Sequence, residues 1–350
     1  MPPPPAKMSS LNAVAAAANV SAMTVSRVLR NSPHVSAATR RLVQRAARKV
    51  GYRPNPQIAR LMHIVRGAKQ QHLRAVIGVV RDDIPEDELH DSAYQYVSNK
   101  DIRRRAEQHG YAIEEFFLGR NGLTPARLNG ILRARGIEGL IISPQSSRAI
   151  GSLLDFTPFA AATFGYGLPS PALHRASTNM TQGILQAVQR LEERGYTRIG
   201  LAVTRWIDAR ADHTYSGAML HYQQQLPPRQ RVPPLFFPDN PAQGANVFVA
   251  WMRKYKPDAL ISLDAYVPEW LTRRLKFDIP ADIGLVVHDW TERMTGFAGI
   301  HHRRPHVAAA AVDLVATQLM HNEHGVPEVP RQILIPPAWI DGPSIRPGST

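Results

Sequence analysis

The sequence predicts an α/β protein in which a helix-turn-helix headpiece and a hinge helix precede two doubly wound parallel α/β subdomains. Three observations predict it. The first is the placement of charge. The 350 residues hold 42 Lys or Arg and 28 Asp or Glu, a formal +14. No acidic residue precedes Asp82, whereas fourteen bases do, and the remaining 269 residues hold 28 of each sign. The excess therefore belongs to the first quarter of the chain, as in a polyanion-binding module joined to a neutral globular body. The second observation is a pair of short helical patterns separated by a tight turn and followed by a longer basic helix. The third is that, from Ala75 onward, short apolar runs alternate with amphipathic stretches, the pattern of parallel α/β structure.

In the headpiece, Leu11 to Ala18 is the first helix, with Ser10 as its cap. Its small residues let a second helix approach closely. Asn19 stands where the turn needs a residue that tolerates positive φ. Ser21 caps a second helix, Ala22 to Arg30, whose Val25, Val28 and Leu29 make a buried stripe at i, i+3, i+4. Ala22, Met23, Ser26 and Arg27 form its other face. Ser36 caps a third helix, Ala37 to Val50, with Leu42, Val43, Ala46 and Val50 inward, and Arg40, Arg41, Arg45, Arg48 and Lys49 facing solvent or phosphate. Gly51 ends it. Asn55 and Pro56 then open a short hinge helix carrying Ile58, Arg60, Leu61 and Met62. That helix has no core of its own and needs a partner.

These residues resemble the headpiece of the lactose-repressor/galactose-repressor family. The resemblance rests on Val20-Ser21-Ala22-Met23-Thr24-Val25-Ser26-Arg27-Val28-Leu29, on His34-Val35-Ser36 and Thr39-Arg40, and on Gly51-Tyr52-Arg53-Pro54-Asn55. It implies a second helix lying in the DNA major groove, with Ala22, Met23, Arg27 and His34 reading bases. It also implies a hinge helix paired with its dimer mate in the minor groove. There Asn55, Ile58, Leu61 and Met62 contribute, and Leu61 or Met62 wedges a base step. The side-chain chemistry agrees: Arg27 suits guanine O6 and N7, and an apolar wedge beside an Arg suits a minor-groove kink. Ser21, Asn31, Ser36 and Arg40 would hold phosphates without reading sequence. The structural alternatives are a solvated Arg27 and a core Leu61. One departure from the family is the distance from Leu61 to Ile77, where fifteen residues intervene.

In the body, strands are predicted at Ala75 to Val80, Ala112 to Leu118, Gly139 to Ser143 and Ala160 to Phe164. Further strands fall at Arg198 to Val203, Ala259 to Leu263 and Gly284 to Val287. Helices are predicted around Tyr94 to His109, Pro125 to Arg135 and Thr181 to Arg194. The resemblance continues through Gly183 and Leu191 to Gly200, through Lys256 to Ala259 with Asp264, and through Ile279 to Gly284 with Asp289. It implies a periplasmic-binding-protein-like core with a ligand cleft at the carboxyl ends of the strands. The domains are expected as a disordered leader 1–8, a headpiece 9–53, a hinge and linker 54–74, and a body 75–345. The body divides into an N-subdomain (75–173 and 302–332) and a C-subdomain (174–301 and 333–345).

Candidate cleft residues are Trp206, Arg210, Asp264, Asp289 and Trp290. The two Trp rings offer stacking surfaces and the two Asp accept hydroxyls, although core packing or strand-end capping is an equal reading of each. Several positions where the family carries polar groups are apolar or aromatic here. The Arg expected three residues before Gly217 is Thr214, with Arg210 one turn earlier.

Other chemistries find little support. The chain has no Cys, which excludes disulfides and thiolate metal sites. No GxGxxG after a strand, Walker loop, GxSxG elbow or HExxH occurs, so neither an enzyme nor a cofactor is implied. His301, His302 and His306 lack the further ligand that would complete a metal site and are expected on an inter-subdomain crossover. No apolar run nears the roughly 18 residues of a membrane span. Lys7 with Leu11 to Val20 has the outline of a signal peptide, but the helix reading accounts for these residues better. The expectation is a cytoplasmic, nucleoid-associated regulator that binds palindromic operator DNA as a homodimer and responds to a small, sugar-like effector. Two alternatives stay open: a solute-binding protein with a processed basic leader, and a DNA-binding regulator without an effector.

Overall fold

In the headpiece the spacing of small and β-branched residues builds a three-helix core. The computed structural model describes residues 11–29, 35–50, 75–82, 97–143, 154–168 and 170–348. Helices α1 (Leu11–Ala18), α2 (Ala22–Leu29) and α3 (Ala37–Lys49) bury Val14, Ala18, Val25, Val28, Val43, Ala46 and Ala47 in one cluster. Ala15 and Ala18 leave room for the neighbouring helices to come close. Asn19 turns the chain at φ 48°, the left-handed conformation that Asn tolerates better than other side chains. Leu42 departs from the sequence reading. It is 42% exposed, because Val43, Ala46 and Ala47 already fill the buried face of α3 and leave Leu42 on its flank.

Among the described residues the body's strands form two six-stranded sheets. The first contains β1 (Val76–Asp82), β2 (Ala112–Leu118), β3 (Gly139–Ile142), β4 (Ala160–Phe164), β5 (His174–Thr178) and β11 (Gln332–Ile335), in the order β11-β5-β4-β3-β1-β2. The second contains β6 (Ile199–Thr204), β7 (Leu235–Phe237), β8 (Ala259–Ser262), β9 (Gly284–Trp290), β10 (Ala298–His301) and β12 (Ala338–Ile340), in the order β12-β10-β9-β8-β6-β7. All pairings are parallel except β10 with β12. Parallel strands need crossover connections that cover both faces of the sheet. In the first sheet these include α4 (Asn99–Gln108) and α5 (Pro125–Ala134). In the second they include α6 (Met180–Glu192), α8 (Thr214–Gln224) and α9 (Pro241–Tyr255).

The chain passes between the sheets three times: after Thr178, between His301 and Arg304, and between Ile335 and Ala338. Helix α10 (Arg304–His321) returns to the first sheet, where Val307, Ala311, Val312 and Val315 join its core. Two of the expected subdomain limits therefore shift. His174–Thr178 pairs with β4 and Gln332–Ile335 pairs with β5, so residues 174–178 and 333–335 belong to the first unit rather than the second. The reason lies in composition. His174–Thr178 reads as polar, yet its polar groups are satisfied within the protein. The His174 Nδ1 accepts the Arg331 N–H at 2.8 Å, and the Thr178 hydroxyl donates to the His302 carbonyl at 2.8 Å.

Candidate nucleic-acid interface and ligand cleft

The ends of α2 and α3 are fixed by their caps. The Ser21 hydroxyl accepts the Thr24 N–H at 3.1 Å, and that of Ser36 accepts the Thr39 N–H at 3.2 Å. Each also lies within 2.9 Å of the Thr hydroxyl three residues on. Both serines are exposed, so each occupies a helix N-terminus, where the unpaired N–H groups and the helix dipole favour an anion. On α2, Val25 and Val28 face the core, Ala22 packs at its edge, and Met23 and Arg27 stand exposed, Met23 by 64%. A methionine this exposed gains nothing from folding. Arg40 is half-buried on the first turn of α3. His34, Asn31, Asn55, Ile58, Leu61 and Met62 lie outside the described residues.

In the body, the five predicted cleft residues lie at or just after the carboxyl ends of β6, β8 and β9, which are neighbours in the second sheet. Trp206 belongs to the short helix α7 (Arg205–Arg210) directly after β6. It is 40% exposed, with the Arg210 guanidinium 4.9 Å from the ring centre. Buried Asp208, on the same helix, accepts the Ser216 N–H at 3.0 Å, the Ser216 hydroxyl at 2.8 Å and a His213 ring nitrogen at 2.9 Å. Ser216 and His213 thus both bond Asp208, an arrangement that fixes the turn between α7 and α8. Asp264 lies two residues beyond β8, where its carboxylate accepts the Tyr266 N–H at 2.9 Å. Burial pushes its pKa up.

Asp289 and Trp290 end β9. Both Asp289 oxygens accept from Arg304, at 2.6 and 2.5 Å, and His302 Nδ1 lies 3.2 Å away. Burial raises the Asp289 pKa, but His302 and Arg304 outweigh it and hold the carboxyl below its usual range. His302 Nε2 is in turn 3.2 Å from His288 Nδ1. Burial drives the pKa of both imidazoles down, that of His288 to about 3. A Cβ on Gly183 would lie 2.5 Å from His288 Nε2, so the close approach of α6 to this chain of groups requires glycine. The Trp290 indole N–H donates to the carbonyls of Met294 and Phe297, both at 3.0 Å.

The structure thus brings Trp206 together with Arg210, and Asp289 together with His302 and Arg304. Asp264 follows the strand between them, two residues beyond the end of β8. His301 and His302 lie on the crossover from β10 to α10. Arg304, His302 and His288 were not singled out as site residues by their sequence. The available signal was the position of Arg304 just after the His301-His302 pair. Arg81 was also missed, counted among the N-terminal bases. It is 4% exposed at the end of β1 and donates to Ser143 at 3.3 Å, to the Val97 carbonyl at 3.2 Å and to Asn99. One of the fourteen early bases is therefore an internal part of the body. Among the described residues, no helix is long and apolar enough to cross a membrane.

Comparison with known proteins adds three findings. Residues 10–55 match the family described as bacterial regulatory proteins, lacI family. The HTH-type transcriptional regulator CelR of Thermobifida fusca is 30% identical over 207 residues, which cover 54% of this chain and 54% of that one. The chain thus spans about half the length of the curated relatives it matches. Among solved structures, the CelR–cellobiose complex aligns with a TM-score of 0.55 at 18% identity, covering 96% of this chain and 99% of that one. The lac repressor dimer bound to operator and the anti-inducer ONPF aligns with a TM-score of 0.57 at 20% identity, covering 97% and 100%. At these identities the two structures show a shared fold.

Proposed function

We propose that this chain, whose residues 10–55 match the lacI family of bacterial regulatory proteins, is a sequence-specific DNA-binding transcriptional regulator that works as a homodimer on a palindromic operator. The observation that carries this reading is the construction of α2. A capped helix, held by Val25 and Val28 to a three-helix core, presents exposed Met23 and Arg27. Its module contains no acidic residue. Base contacts by Arg27 supply choice, and Arg40, on the first turn of α3, supplies salt-sensitive attraction to phosphate. One headpiece buries too little surface for tight binding, so two on a symmetric dimer supply the affinity. Repression is the expected output, in line with the lac repressor to which the fold corresponds.

The cleft at the ends of β6, β8 and β9 is proposed to take a small, sugar-like effector. Trp206 offers an exposed ring for stacking, and Asp289 is oriented by Arg304 and His302. The CelR–cellobiose complex supports a carbohydrate. Effector binding would bias the relation between the two sheets and so the spacing of the paired hinge helices. A second reading, a regulator without an effector, is favoured by one observation: the Trp290 N–H is fully used inside the protein, and Asp289 already has internal donors. Arg27→Ala tests the DNA reading. It is expected to weaken specific binding by about 1–3 kcal/mol and to relax preference at one base pair. Equal losses on specific and random duplex would make Arg27 a phosphate contact instead.

A further inference from the structure

Helix α3 carries a feature that reading DNA through α2 does not use. Its buried face consists of Val43, Ala46 and Ala47, with Val50 packed at the edge. At about 3.6 residues per turn, the direction opposite that face falls on Arg41, Arg45 and Arg48, spaced i, i+4, i+7. All three are exposed, as are the flanking Gln44 and Lys49. A rise of about 1.5 Å per residue spreads the three over about 10 Å of helix. Exposed helix faces usually interleave the two signs of charge, because like charges one turn apart repel. Here no acidic residue occurs anywhere before Asp82, so no carboxylate within the module offsets the stripe. The Arg41 Nε–H donates to the Ala37 carbonyl at 3.4 Å and Arg48 stands in the last turn, where the helix dipole favours a cation, but an external polyanion would offset the mutual repulsion of the three charges more fully.

The direction of the stripe decides which polyanion it meets. Met23 and Arg27 point away from Val25 and Val28, and Arg41, Arg45 and Arg48 point away from Val43, Ala46 and Ala47. All of these buried residues belong to one cluster. The outward faces of α2 and α3 therefore lie on different sides of a single small core. We propose that the outward face of α3 is a second duplex-phosphate site, which holds a separate segment of DNA while α2 engages the first. Guanidinium groups suit this role because their planar forks match phosphate oxygens, and contact through phosphate alone is blind to sequence. The proposal rests on the reading of α2 as the DNA-reading helix.

The test uses the full chain and two duplexes. One, immobilised, carries a site selected by the protein; the other is a labelled duplex of random sequence in solution. Wild-type protein bound to the first is expected to capture the second. The triple variant Arg41→Gln, Arg45→Gln, Arg48→Gln is expected to keep its affinity for the immobilised site within about twofold and to lose capture by tenfold or more. Three lost phosphate contacts also predict a salt dependence of capture that is shallower by about 2.7 in log–log slope. The matching triple Lys variant, which keeps the charge, is expected to retain capture. Capture that persists in the Gln variant would overturn the proposal, since the two headpieces of a dimer would then be bridging the duplexes. A parallel loss of site affinity and capture would overturn it too, because the stripe would then serve the first duplex. Failure of the regulator reading shows separately, as an Arg27→Ala variant whose site preference is unchanged.

Discussion

On α2, Met23 and Arg27 extend into solvent from a helix whose inner face is fully buried. At the end of β9, Asp289 is held by Arg304 and His302, and the Trp290 N–H by two carbonyls. The headpiece thus holds Met23 and Arg27 outward, where the proposed DNA partner would bring the complementary chemistry. The cleft has assembled much of that complementary chemistry from its own chain. Where polar groups are satisfied internally, a ligand must compete with or extend an existing network, and that network contributes to stability as well as to binding. In the headpiece, stability comes from apolar packing and helix caps, and the exposed Met23 and Arg27 can change with little effect on the fold.

Removing the central cation of the cleft network sharpens this contrast most. Arg304→Met would take from the Asp289 carboxylate its guanidinium partner, and a part-buried charge that loses its pair is expected to destabilise the chain by about 3 kcal/mol. Urea unfolding of the full chain measures it, and a loss under about 0.5 kcal/mol would mean the network is ornamental. The next effect is on pH. His288 and His302 are buried, with pKa values pushed below the ordinary range, whereas in the unfolded chain they titrate near 6.5. Below about pH 6.5 the unfolded state binds more protons than the folded one. Stability should therefore fall with acidification towards pH 3, by up to about 1.4 kcal/mol per pH unit for His288 alone. A flat profile from pH 7.5 to 5 would contradict this. The smallest effect belongs to the headpiece, where Ser36→Ala removes the cap of α3 and should cost about 1 kcal/mol. Thermal unfolding followed by helical signal checks it. A cost equal to that of Arg304→Met would erase the distinction between the two regions.

Legibility in the sequence follows the same division. The first helix, the caps at Ser21 and Ser36 and the positive φ at Asn19 were readable, because each depends on residues within one or two turns. Among strands, Ala112–Leu118 and Ala160–Phe164 have the limits their apolar runs imply. His174–Thr178 was missed because its burial is made possible by distant partners, the Arg331 N–H and the His302 carbonyl. Leu42 was misassigned because periodicity marks an apolar residue without showing that its neighbours already fill the core. The same limit applied to the cleft. The sequence singles out Asp289 and Trp290 as candidates, but Arg304 and His302 reach Asp289 only through the crossover from β10 to α10. Arg81 was hidden by its company, a buried cation counted among bases that face outward.

The central claim is that the headpiece chooses a DNA sequence rather than merely adhering to DNA. Selection of bound duplexes from a random pool by the full chain, at salt high enough to suppress phosphate-only binding, tests it most directly. The account predicts enrichment of a two-fold symmetric site, with symmetry matching a dimer and at least one strongly preferred guanine per half-site for Arg27. A pool that stays random after repeated rounds, while the protein still binds DNA at low salt, would contradict it.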